Sequence, residues 1–173
     1  MVYGMTFGKI KGWILDLYPS PEGMILWLIE PSGTHRRLID HRFTPSFHVY
    51  GSEAQLIRLA QWLVLRCGCS CQLVEKLSLF DRCVLRVLQV RLRHNMDFRG
   101  VVRSVKRYNP NFQLYNSDLM LESLYCWERG IFPLSRVEVE TQNGTEVAFL
   151  ECHDDSWALD YELPPLRILK LRL

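Results

Sequence analysis

No stretch of this 173-residue chain approaches the roughly 20 apolar residues that a membrane-spanning helix needs. That excludes a helical membrane anchor within it. Met1 to Lys11 holds no long apolar run either, so no targeting segment is expected and the cytoplasm is the expected location. A Gly-rich phosphate loop, a nucleophile elbow and a His-Glu-x-x-His helix are all missing, which removes the commonest nucleotide-binding, acyl-transfer and zinc-hydrolase readings. The six cysteines form no C-x2-C pair, and Cys67-Gly-Cys69-Ser-Cys71 has no second ligand pair at zinc-site spacing. These read as reduced thiols at a turn, and no metal site is expected. His153-Asp154-Asp155 could hold a divalent cation, yet a solvated turn between strands accounts for it. Nothing in the chain looks catalytic by itself, and no catalytic residue is assigned to it.

The net charge is small, at +2, but the charged residues are unevenly placed. From Arg86 to Arg107 there are seven basic residues, among them Arg91, Arg93, Arg99, Arg103 and Arg107, against one acid, Asp97. From Asp118 to Glu162 there are eleven acids against two bases, Arg129 and Arg136. Such polarity gives one surface that attracts polyanions and one that repels them. The plain alternative is two solvated faces.

A chain this long buries about 70% of its unfolded surface and needs no staples. Apolar runs Lys11–Tyr18 and Met24–Glu30 around Pro19-Ser-Pro-Glu-Gly23 predict a hairpin, with Thr34–Asp40 as a third strand. Phe47–Tyr50 predicts a short strand. Ser52 then caps a helix whose core face is Leu56, Ile57, Ala60, Leu63 and Val64, widened by Leu59, Trp62 and Leu65, and which stops at Cys67-Gly68. Cys71–Leu79 and Cys83–Leu92 read as strands around a turn at Asp81-Arg82. A helix from Asp97 to Tyr108 carries the stripe Phe98, Val101, Val102, Val105 and Tyr108, and Asn109-Pro110 ends it. Phe112–Tyr115 reads as a strand. The order from Phe47 to Tyr115 is that of a split βαβ unit, an antiparallel sheet with both helices on one face.

Ser117 or Asp118 is expected to cap a third helix ending at Gly130. Arg136–Glu140 and Glu146–Cys152 flank Gln142-Asn143-Gly144 as a second hairpin. Leu166–Leu173 is expected to be a lone strand after Leu163-Pro-Pro165, as at a domain boundary. The fold class is therefore α+β: a ferredoxin-like (RRM-like) βαββαβ unit, an N-terminal β layer, a C-terminal hairpin and one further strand. The expected division is an N-terminal β subdomain over 1–46, the ferredoxin-like unit plus helix over 47–135, and the C-terminal hairpin with a truncated further domain over 136–173.

Within that frame Arg99, Arg103 and Arg107 recur every fourth residue and line one helix face opposite Val101, Val102 and Val105. A row of this kind contacts successive phosphates and gives salt-dependent affinity without sequence information. Arg91 and Arg93 extend the basic region. The strand Cys83–Leu92 lacks the Lys/Arg-Gly-Phe/Tyr signature of RNA-reading sheets.

Two stretches point further. Phe43-Thr-Pro45-Ser-Phe47-His-Val-Tyr50, and Tyr115-Asn-Ser-Asp118 through Tyr125-Cys-Trp-Glu-Arg129-Gly130-Ile-Phe-Pro133, in this order and at this distance, resemble the N-terminal domain of family B DNA polymerases. The resemblance covers Lys11–Tyr50, Cys83–Leu134 and Leu163–Leu173, and implies a non-catalytic domain supporting single-stranded template DNA. Its partners would be that strand and the remaining polymerase domains. Mg2+ would be expected in the parent polymerase, with no cofactor in this chain. In archaeal members the domain captures uracil. The resemblance places Tyr18, Pro45 and Val87 on that pocket, whereas Ser46, Met120 and Leu124 replace an aromatic, a proline and a basic residue, leaving it degenerate. Tyr18-Pro19-Ser20 is not the polymerase active-site stretch, because Trp13 stands where a metal-binding Asp would be. Pro164-Pro165-Leu166 through Leu171 resembles the entry to an exonuclease domain, with Arg172 in place of its first acid. The competing readings are a stand-alone ferredoxin-like regulatory or ligand-binding module without a nucleic-acid role, and a cysteine-based metal or redox module.

Overall fold

The structure is a computed structural model and describes residues 7–78, 82–158 and 160–166. It contains two sheets. Strands β1 (Phe7–Ser20), β2 (Gly23–Ile29), β3 (His35–Asp40), β8 (Arg136–Gln142) and β9 (Glu146–Cys152) close into a barrel in the order β1-β2-β3-β9-β8. Strands β4 (Ser46–Tyr50), β5 (Ser70–Ser78), β6 (Cys83–Arg91) and β7 (Gln113–Tyr115) make a second sheet in the order β5-β6-β4-β7. The helices are α1 (Glu53–Cys67), α2 (Phe98–Tyr108) and α3 (Leu121–Arg129). No described helix is long and apolar enough to cross a membrane.

The chain divides into two compact units, one from the described residues of Met1–Phe43 and Tyr125–Leu173, the other Thr44–Leu124. This corrects the three-part division expected from sequence. The hairpin β8–β9 is not a separate C-terminal piece: β8 pairs antiparallel with β1, Ile10 opposite Val139, and β9 meets β3 in parallel at Ile39 and Glu146. The N-terminal strands expose unpaired edges that only these distant strands satisfy, so the barrel forms from both ends of the sequence.

The barrel interior follows from the strand sequences. In β2, Gly23-Met-Ile-Leu-Trp-Leu-Ile29, only Trp27 is even half-exposed. Ile14, Leu26, Leu28, Leu38 and Val139 are buried with it. A register shift between Ile14 and Asp16 bends β1, as closure requires. At Gly12 the backbones touch: a Cβ there would lie 2.6 Å from the carbonyl oxygen of Ile29.

In the second unit the chain order is strand, helix, strand, strand, helix, strand, and every strand pairing is antiparallel. Phe47 and Val49 alternate with His48, and their register partners Val90 and Leu88 point the same way. Phe47 meets Phe98 of α2 edge-on at 5.7 Å, so this is the side α2 packs on. α1 touches α2 through Trp62 and Tyr108, whose rings are 5.3 Å apart, which puts both helices on that side. Leu56, Leu63, Val101 and Val105 are all buried there.

Three local expectations change. α1 buries Leu56, Leu59 and Leu63, so its core face is rotated and Ile57, Val64 and Leu65 are exposed. α3 begins at Leu121, because Asn116 takes a positive φ of 58° and bends the chain through Leu119; neither Ser117 nor Asp118 is its cap. The expected turn residue Asp81 and the strand Leu166–Leu173, beyond its first residue, lie outside the described residues.

Candidate nucleic-acid interface

α2 is short and strongly two-faced. Phe98, Val101, Val102 and Val105 go inward, while Arg99, Arg103, Lys106 and Arg107 are exposed. None of these four cations enters an ion pair among the described residues. Four residues advance a helix by about 6 Å and turn it about 40° past a full turn, so the three arginines form a slanting row of unneutralised charge. Lys106 and Arg107 in the last turn also complement the helix dipole, which explains part of the row without a ligand.

The five arginines of the sequence reading do not form one patch. Arg93 is exposed just after β6. Arg91 pairs with Ser46 and Ser70 in register, on the opposite face of the sheet from Phe47 and Val90. Its Nη1 donates to the Thr44 hydroxyl at 3.2 Å. The row Arg99/Arg103/Arg107 is thus outside the helices, and Arg91 is on the sheet face turned away from them.

Tyr18 belongs to the barrel unit and is exposed near the end of β1, whereas Pro45 and Val87 belong to the other unit and are buried. No one unit contains all three. Leu124 is buried and Met120 is exposed, apolar both, where a base pocket would call for a cation and a proline. An open cleft of about 250 Å3 lies between α1 and the β5–β6 hairpin, lined by Leu56, Leu73, Val84 and Arg86. It is smaller than ordinary ligand pockets, and Arg86 is already held by Glu53 at 3.3 Å.

Burial raises the Cys69 thiol to about 12 and the Cys71 thiol to about 11, with the neighbouring Cys67 adding to both. Cys67 is raised for the same first reason, burial. Thiolate is the form that attacks and ligates, and the site opposes it. Asp154 accepts the Arg136 backbone N–H at 2.6 Å, tying the end of β9 to the start of β8, and Asp155 accepts that of Trp157 at 2.9 Å, capping the turn after β9. Among the described residues no three His, Cys, Asp or Glu side chains converge as metal ligands.

Sequence reasoning missed a buried polar network in the barrel unit. Asp40 is wholly buried and accepts from the Tyr125 hydroxyl at 3.1 Å, from Arg129 at 2.6 Å and from the Arg42 backbone N–H at 2.9 Å. Burial and the Asp40 carboxylate push the Tyr125 phenol far up, so it stays a donor. Its members are too far apart in sequence to announce each other.

The architecture of both units decides the comparison. The chain is similar in structure to a family B DNA polymerase. The match is to the enzyme from the hyperthermophilic archaeon Pyrobaculum calidifontis, with a TM-score of 0.66, 18% identity and 91% of this chain covered. The chain spans 21% of that polymerase's length. No protein-family model matches the sequence, and no curated protein matches it. The likeness is therefore one of fold.

Proposed function

We propose that this chain works as the N-terminal, non-catalytic domain of a family B DNA polymerase and helps hold single-stranded template DNA. The observation that carries the reading is the fold likeness, which runs through 91% of the chain and so takes in residues of both units. In this reading the second unit is ferredoxin-like: its sheet order β5-β6-β4-β7, wholly antiparallel with both helices on one side, is the arrangement a βαββαβ chain adopts in that fold. Arg99, Arg103 and Arg107 would neutralise successive phosphates. In this reading Mg2+ and nucleotide addition would belong to other domains of the polymerase.

The test is fluorescence anisotropy with labelled oligo-dT over a salt series. Affinity no better than about micromolar at physiological salt is expected from so few phosphate contacts. Replacing all three arginines with Ala should flatten the slope of log affinity against log salt by about 2, at about 0.7 per lost single-strand contact. An unchanged slope removes the row from the mechanism. No binding by the wild-type chain at low salt removes the function.

A further inference from the structure

The sheet face turned away from α1 and α2 has a composition that its phosphate-binding neighbour does not explain. Register aligns Gln72 of β5 with Gln89 of β6, Gln89 with His48 of β4, and His48 with Tyr115 of β7. One row of planar, hydrogen-bonding side chains thus crosses all four strands. At about 4.8 Å per strand it spans about 14 Å. Gln72 is exposed, and Gln89, His48 and Tyr115 are half-buried. Arg91 and Lys76 lie on the same face to either side. Glu75, the one acid in these four strands, points to the helix side, opposite Arg86. The face therefore carries cations and no carboxylate from its own strands.

We propose that this face takes the bases of single-stranded DNA, with Tyr115 and His48 stacking on them and Gln72 and Gln89 bonding their edges. It rests on the single-strand-binding reading above and adds to it a second surface, distinct from the α2 arginines. Charge complementarity selects a polyanion, and the row of rings and amides selects one whose bases are unpaired. A duplex would present only phosphates to a flat sheet. Burial, then Lys76 and Arg91, hold the His48 imidazole's affinity for protons below the usual range, so it meets the strand as a neutral ring. The missing aromatic-glycine signature on β6 is consistent with this arrangement, because the rings come from β4 and β7 instead.

The experiment uses the full chain and a fluorescein-labelled oligo-dT of about 15 nucleotides, with thermal melts to verify folding. Tyr115→Leu should weaken binding about tenfold, and Tyr115→Phe should restore it to within about twofold, because stacking needs the ring alone. Gln72→Glu, at an exposed position, should weaken it similarly by placing an acid on the face. Tyr115→Leu should leave the salt slope unchanged, in contrast to the α2 triple variant. Photocrosslinking with 5-iododeoxyuridine in the oligonucleotide should mark the peptides containing His48 or Tyr115. Wild-type affinity in both Tyr115→Leu and Gln72→Glu overturns the sheet face while leaving the α2 reading standing. Crosslinks confined to α2 do the same, and so does equal binding of a duplex of the same length. Tighter binding to oligo-rU overturns the assignment to DNA. No binding of oligo-dT at all overturns this proposal together with the function it rests on.

Discussion

Asp40 shows what a single residue carries here. Removing it leaves Arg129 and the Tyr125 hydroxyl without their shared acceptor inside the barrel unit. Asp40→Ala is therefore expected to cost about 3–5 kcal/mol, read as a shift in the urea midpoint, with Asp40→Asn costing less. Gly23 is constrained differently. Its φ is 153° and a Cβ would lie 2.3 Å from the Asp40 carbonyl oxygen, so Gly23→Ala should destabilise by about 1–3 kcal/mol in the same measurement. His48 makes stability depend on pH. Its folded-state pKa is lowered from 6.5, chiefly by burial, with Lys76 and Arg91 adding to it. Below 6.5 the unfolded chain takes the proton first, so stability falls as pH drops through that value and levels off below the folded pKa. His48→Gln should remove this slope from a series of melts across it. The arginine row was legible in the sequence because a four-residue spacing on a helix is a local rule. The Asp40 network was not, since its partners are 85 and 89 positions away.

At the scale of elements, local signals performed unevenly. Ser52 does precede α1, and Gln55 folds back so that its side-chain oxygen accepts from the Ser52 N–H at 3.3 Å and hydroxyl at 2.9 Å. Gln55→Ala should lose about 1 kcal/mol, measurable by chemical denaturation. The face that α1 buries was misread. Ile57 and Val64 fit an apolar stripe as well as Leu59 does, and only the position of β5 and β6 selects Leu56, Leu59 and Leu63. α2 left less choice, since every residue outside its stripe is polar or glycine; of the expected stripe only Tyr108, in the last turn, is exposed. Phe98 anchors it edge-on against Phe47, and Phe98→Ala is expected to cost about 3–5 kcal/mol by opening a core cavity. The start of α3 was missed because Ser117 and Asp118 are good caps in sequence, yet the positive φ at Asn116 sets the bend before them.

For the whole molecule, the chain order of the second unit is its topology, while the barrel's is not. Residues 44–124 hold all strands and both helices of the βαββαβ unit and should fold when expressed alone, with a cooperative melt by circular dichroism. A chain ending at Leu124 should lack the barrel, because β8 and β9 supply two of its five strands. Loss of the β1–β2 amide protection in hydrogen exchange would show this, and retained protection would contradict the closure described above. The sequence by itself determined what depends on neighbours a few residues apart: nearly every strand and helix, the split βαβ order, the basic face of α2 and the turn role of Asp155. Tertiary structure alone decided what depends on pairing across long loops. It joined the two ends of the chain into one barrel and buried Asp40 against Tyr125 and Arg129. It also turned Arg91 away from the α2 arginines and lined up Gln72, Gln89, His48 and Tyr115. The Asp40 network follows from α3 meeting β3 and the others from strand register, each a property of two segments at once that no single stretch of sequence contains.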